Sequence, residues 1–122
     1  MTLIDSNIII YASRPEHAML REFIAKNSPV VSAVSFVEVL GYPRISDEER
    51  QHFEAFFAAA TILPISDAVL HEAVRLRQQR KMALGDALTA ATALVHGLTL
   101  VTRNTGDFEW VEGLSLHNPF QP

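Results

Sequence analysis

The sequence predicts an α/β domain, a mostly parallel sheet with helices on both faces. Short β-rich runs alternate along the chain with longer apolar patterns at helical spacing, the signature of a parallel sheet covered on both sides. The length of 122 residues and the 48% apolar share fit one compact unit over residues 1–122. Cysteine is absent, which excludes a disulfide scaffold, a thiolate zinc site, an iron–sulfur centre and a cysteine nucleophile. No basic leader precedes Asp5, and no apolar run approaches the roughly 18 residues of a membrane helix. A cytoplasmic protein without membrane attachment is expected.

Thr2 to Asp5 reads as a brief apolar strand that ends at a carboxylate. Asn7 to Ala12 fits either a strand or a short helix, because Ile8, Ile9, Ile10 and Tyr11 suit both. Beyond Pro15, Met19, Leu20, Phe23 and Ile24 mark a helix over Glu16 to Lys26. Val30, Val31 and Ala33 make a second strand. Ser35 with Glu38 three residues on predicts an N-cap and capping box, for a helix that stops near Gly41 and Pro43. Asp47 opens a helix with acids in its first turn and Phe53, Phe56 and Phe57 along one side. Thr61 to Ile65 is a third strand, followed by a helix capped by Ser66 or Asp67 that runs through Leu70, Val74 and Leu76 toward Arg80. Gly85 and Asp86 begin a helix apolar almost all round from Ala87 to Val95, hence buried, with Gly97 as its terminator. Leu98 to Thr102 and Leu114 to His117 supply the fourth and fifth strands.

In such sheets ligands bind beyond the carboxyl ends of the strands. Asp5, Glu38, Asp86 and Asp107 are all predicted at that edge, with Asn104 near the last of them. Each acid alone has an ordinary explanation: solvated strand end, capping box, N-cap or turn residue. Together they repel, and the remedies are a raised pKa, a basic partner or a bound cation. No Lys follows Lys81, and Arg103 is the one later Arg. An all-oxygen cluster suits Mg²⁺, with Mn²⁺ also accommodated, better than zinc, since no His pair is evident. Asn7, Ser35 and Asn104 are placed to hold coordinated waters or orient the acids. Such a site suits phosphoryl chemistry.

These blocks resemble the PIN-domain family, and within it the VapC-type toxin ribonucleases of toxin–antitoxin pairs. The resemblance runs along essentially the whole chain. It rests on Leu3-Ile4-Asp5-Ser6-Asn7, on Ser35 with Glu38, and on Gly85-Asp86-Ala87-Leu88 before an alanine-rich helix. Leu98 through Phe108 is its most specific part, and Asn118-Pro119-Phe120 closes it. Ser6 stands where many relatives carry Thr, which keeps the hydroxyl. The resemblance implies a three-layer α/β/α sandwich and a divalent-metal-dependent endoribonuclease. It assigns the acidic roles to Asp5, Glu38, Asp86 and Asp107, with Asn104 an alternative to Asp107 for the place nearer the metal. Asp5 and Asp86 are the expected principal ligands, and Glu38 and Asp107 complete the site or deprotonate the attacking water. A 5′-phosphate and a 3′-hydroxyl would result. A homodimer and a small antitoxin that blocks the acidic site are also implied.

A net charge of −4, from 10 basic and 14 acidic residues, argues against a generally basic nucleic-acid glove. Removing the four clustered acids balances the remainder. Arg80 and Lys81, in a basic run that leads to Asp86, and Arg14 and Arg103 are candidates for RNA phosphates. With so little positive surface, a structured RNA such as a tRNA loop is the expected substrate. The phenylalanines read first as core, and second as a groove for a partner. A receiver domain would need a late Lys, a haloacid-dehalogenase-like phosphatase an Asp where Asn7 stands, and no phosphate-binding glycine loop is present. The rival from another class is a catalytically inactive PIN domain that binds RNA or a partner.

Overall fold

The computed structural model describes residues 1–121. In chain order it contains β1 (Thr2–Ile4), α1 (Ser6–Ala12), α2 (Ala18–Asn27), β2 (Val31–Ser32), α3 (Ala33–Leu40) and α4 (Asp47–Ala59). There follow β3 (Ile62–Leu63), α5 (Asp67–Gln79), α6 (Leu84–His96), β4 (Thr99–Val101) and β5 (Leu116–His117), with 3₁₀ turns at Pro15–His17 and Thr105–Asp107. β1 pairs with β4 and β4 with β5, while β2 pairs with β3, every pairing parallel. A parallel bridge between Leu3 and Val30 joins the two groups, through Ile4 N to Val30 O at 3.1 Å and Val30 N to Thr2 O at 2.9 Å. The strand order is therefore β3-β2-β1-β4-β5.

Alternation along these short strands makes the three layers. Leu3, Val30 and Leu100 point into one core, packed with Val69, Ala73 and Leu76 of α5 and the alanine face of α6. Ile4, Val31 and Val101 point the other way, against Ile8 and Ile9 of α1, Val39 of α3, and Phe53 and Phe57 of α4. Successive strand residues face opposite sides of the sheet, so strands of two or three residues still serve both cores. The result is the α/β/α sandwich expected from the sequence. Helix α6 is buried from Ala87 through Ala93, as its apolar surround implies, and Gly97 ends it at φ +64°.

Several elements differ from expectation, each for a local reason. Asn7 to Ala12 is helical, because Asp5 caps it: the Asp5 carboxylate accepts from Ile8 N at 3.0 Å. The segment from Glu16 is split, with Pro15 starting a 3₁₀ turn and α2 beginning only at Ala18. Ala33 opens α3 rather than closing β2, and the cap is Ser32, whose Oγ accepts from Val34 N at 3.2 Å. Ser35 is therefore a buried residue inside α3, and its pairing with Glu38 is not a capping box. The capping box in this chain is Ser46 with Glu49 at the start of α4, joined by bonds of 3.0 and 3.1 Å. On α5 the core face is Val69, Ala73 and Leu76, while Leu70 and Val74 are exposed. Ser66, not Asp67, caps it.

Candidate active site

Asp5 follows the last residue of β1 and is turned toward the strand ends by its own capping bond. Glu38 projects from the second half of α3, and Asp86 from the first turn of α6. With Ser6, Asn7, Ile10, Tyr42 and Thr89, these three acids line one pocket of about 210 Å³. Asp107, exposed in the 3₁₀ turn after β4, stands outside that lining but near enough to act on Asp86.

A small network orients Glu38. Ser6 Oγ lies 2.7 Å from Glu38 Oε1 and 2.9 Å from Ser35 Oγ. A hydroxyl has a single proton, so Ser6 donates to the carboxylate and accepts from buried Ser35. The other carboxylate oxygen rests over Gly85, where a Cβ would come within 2.2 Å of Glu38 Oε2. Glycine inside the first turn of a helix lowers helix stability, and here the space it leaves is filled by an acid.

The electrostatics are those of acids held together without cations. None of the four carboxylates forms an ion pair among the described residues, where Arg50 and Arg75 account for the pairs present. Burial raises the Asp86 carboxyl above its ordinary 3.8, and the charges of Asp107, Glu38 and Asp5 raise it further. Asp5 is also raised, chiefly by burial and secondarily by Glu38, against the opposing pull of the Thr102 hydroxyl and the Ile8 N–H.

Asp86 has no capping role. The cap position of α6 is Ala83, which makes no side-chain bond to the helix. The donor set is all oxygen, and no three His, Asp or Glu side chains among the described residues are gathered tightly enough to close directly around an ion. A hard ion that keeps part of its water shell bridges a looser set, as Mg²⁺ characteristically does. Asp5, Glu38 and Asp86, with Asp107 at the rim, suit such an ion in chemistry and charge.

The family profile described as PIN domain matches residues 2–114. The chain belongs to the PIN-domain family. This PIN domain is 30% identical to Ribonuclease VapC10 of Mycobacterium tuberculosis, over 93% of the chain and 90% of that protein. It is 27% identical to Ribonuclease VapC1 of Rickettsia felis, over 93% and 92%. Among solved structures, a toxin–antitoxin complex from Klebsiella pneumoniae superposes with a TM-score of 0.80 at 29% identity, covering 98% of both chains. The DNA-bound VapBC of Salmonella typhimurium matches in fold, with a TM-score of 0.85 at 19% identity over 98% and 99%. The chain is thus VapC-like, as its motifs suggest.

Within this PIN domain the other expected residues fall as follows. Asn7 lines the pocket, while Ser35 acts one step back through Ser6. Asn104 is exposed and outside the pocket lining, its backbone N–H bonded to Thr102 Oγ1 at 3.1 Å. Arg80 lies over the Trp110 ring, 5.5 Å from its centroid, and Lys81 borders a separate hollow with Val74, Arg77, Gln78 and Met82. Neither lines the carboxylate pocket. Arg14 and Arg103 stand together over Tyr11. Sequence reasoning missed Gly85 as the seat of Glu38, and Thr102 as the hydroxyl beside Asp5. The first left a signal, since a glycine inside a helix asks for a packing reason. The second left none.

Proposed function

We propose that this PIN domain is a divalent-metal-dependent endoribonuclease, the toxin of a toxin–antitoxin pair that acts on structured RNA. The carrying observation is the pocket in which Asp5, Glu38 and Asp86 converge without a compensating cation. Asp5 and Asp86 would hold Mg²⁺ or Mn²⁺, with Glu38 and Asp107 completing the set. When bound, the ion supplies Lewis acidity to a water and to the scissile phosphate. Ser6 and Ser35 orient Glu38, and Asn7 and Asn104 are available to waters at the rim. Glu38 or Asp107 takes the proton of the attacking water. The water oxygen bonds to phosphorus as the bond to the 3′-oxygen breaks, and that oxygen takes a proton from solvent, which leaves a 5′-phosphate and a 3′-hydroxyl. The VapC and toxin–antitoxin relatives support an antitoxin partner. Exposed apolar side chains, Phe36 and Val37 on α3 and Leu70 and Val74 on α5, support a homodimer.

The test is cleavage of total cellular RNA by the purified chain, mapped by sequencing new 5′ ends. It is run with Mg²⁺, with EDTA, and with Asp5→Asn and Asp86→Asn. Discrete cuts that require both the metal and the carboxylates are expected. Their absence, in protein free of co-purified inhibitor, would replace this reading with the binding module.

A further inference from the structure

Beyond the carboxylate pocket, one charged cluster has no carboxylate partner among the described residues. Tyr11, near the end of α1, meets His17 and Phe120 edge-on, each at 5.7 Å between centroids, and those two meet each other at 5.3 Å. Over the Tyr11 ring lie the guanidinium groups of both Arg14 and Arg103, each 5.3 Å from its centroid. Arg103 also stands 4.3 Å over Phe120. Each arginine is anchored at its backbone as well. The Arg103 carbonyl accepts from Asn118 Nδ2 at 3.2 Å, and the Arg14 carbonyl accepts from Arg21 Nη1 at 2.7 Å.

Two cations sharing one ring repel, and a ring quadrupole offsets that only in part. In a chain with net charge −4, acids are plentiful, yet among the described residues neither guanidinium pairs with a carboxylate or donates a side-chain bond. With no acceptor among the described residues, the N–H groups of both guanidiniums remain to bind an anion, and a guanidinium fork matches a phosphate. The position fits too. Tyr11 directly follows Ile10, which lines the acidic pocket, so the cluster begins at that pocket's edge.

We infer that Arg14 and Arg103, held over Tyr11 and Phe120, form a preorganised clamp for an RNA backbone phosphate next to the scissile one. The inference rests on the ribonuclease reading for its ligand. It sets the direction in which the strand leaves the carboxylates, over the end of α1 rather than along the basic run of α5.

The test uses the full chain carrying Asp86→Asn, in EDTA, with a short fluorescent single-stranded RNA of mixed sequence as the probe. Anisotropy gives Kd as a function of salt. Arg14→Gln and Arg103→Gln should each weaken binding about tenfold. Each lost phosphate contact should flatten the slope of log K against log salt by about 0.7. Arg103→Lys should keep the slope and lose part of the affinity, which separates the clamp from a misfolded variant. In the chain with Asp86 intact, Arg103→Gln should raise KM and leave kcat unchanged. Unaltered Kd and slope in both Gln variants would overturn the clamp, as would equal, arginine-dependent binding of a Glu-rich peptide, which would assign the cluster to a protein partner. Cleavage by the parent with unaltered slopes sinks the clamp alone. Arginine-dependent binding without any cleavage sinks the nuclease reading and leaves a phosphate site.

Discussion

Gly85→Ala is the most discriminating perturbation of the acidic pocket. The added Cβ would lie 2.2 Å from Glu38 Oε2 and 2.9 Å from its Cδ, where ordinary contact begins at 3.4 Å. The carboxylate must move by more than about 1 Å, and it can, because Glu38 is solvent-exposed. What it loses is the 2.7 Å bond from Ser6. That bond to a partly solvated carboxylate contributes about 1 kcal/mol, and alanine for glycine in a helix returns up to about 1 kcal/mol. The two nearly cancel, so the melting temperature should shift by no more than about 5 °C. Catalysis has no such compensation. A 1 Å displacement of a reacting group lowers kcat/KM on the order of 100-fold. Pairing the change with Glu38→Asp shortens the acid by one methylene and should recover part of the rate. RNA cleavage rates and thermal melts of the single and double variants make the test. Full kcat/KM in Gly85→Ala would refute the reasoning, and a loss of stability above about 3 kcal/mol would reassign Gly85 to core packing.

Two further outcomes follow from the same geometry. Asp86→Asn should abolish cleavage and leave the metal-free protein as stable as the parent or more so near neutral pH, since Ala83 and not Asp86 occupies the cap position. The Asp86 carboxyl is raised above 3.8 in the folded state, so its favourable contribution is full below the unfolded value and is lost as pH rises through the folded one. The advantage of Asn over Asp should therefore shrink as pH falls toward 3.8, read from urea melts in EDTA, and a constant difference would contradict the repulsion. Asp5→Asn should retain the cap on Ile8 N while Asp5→Ala loses about 1 kcal/mol, with cleavage lost in both. Equal destabilisation by the two would show that the charge of Asp5, rather than its capping oxygen, supports α1.

Much of the fold was legible in the order of short apolar runs and helical stripes. The buried character of α6 and the stops at Gly41 and Gly97 were plain from local composition. Helix α3 shows where such reading ends. A hydroxyl three residues before an acid is satisfied by a capping box, and equally by two side chains on one helix face turned toward a neighbour. Only the point where β2 stops decides between them. It stops at Ser32, so the pattern of Ser35 and Glu38 meets Ser6 across the fold instead of closing its own turn. Helix α5 has the same ambiguity, for its apolar residues form two stripes and the sheet selected Val69, Ala73 and Leu76 over Leu70 and Val74.

The sequence by itself determined the layers and the sheet edge at which Asp5, Glu38 and Asp86 meet. Strand periodicity, helical periodicity and the chemistry of carboxylates are local properties, carried by each segment wherever it packs. The tertiary structure alone decided that Glu38 rests on Gly85, that Thr102 faces Asp5, and that Arg14 and Arg103 share one tyrosine ring. Apart from the neighbours Tyr11 and Arg14, those partners lie far apart in the chain, and no spacing rule records them. Their meeting is set by the docking of α6 beside α3, the end of β4 beside β1, and the return of the C-terminal segment to α1, where close packing leaves a single arrangement.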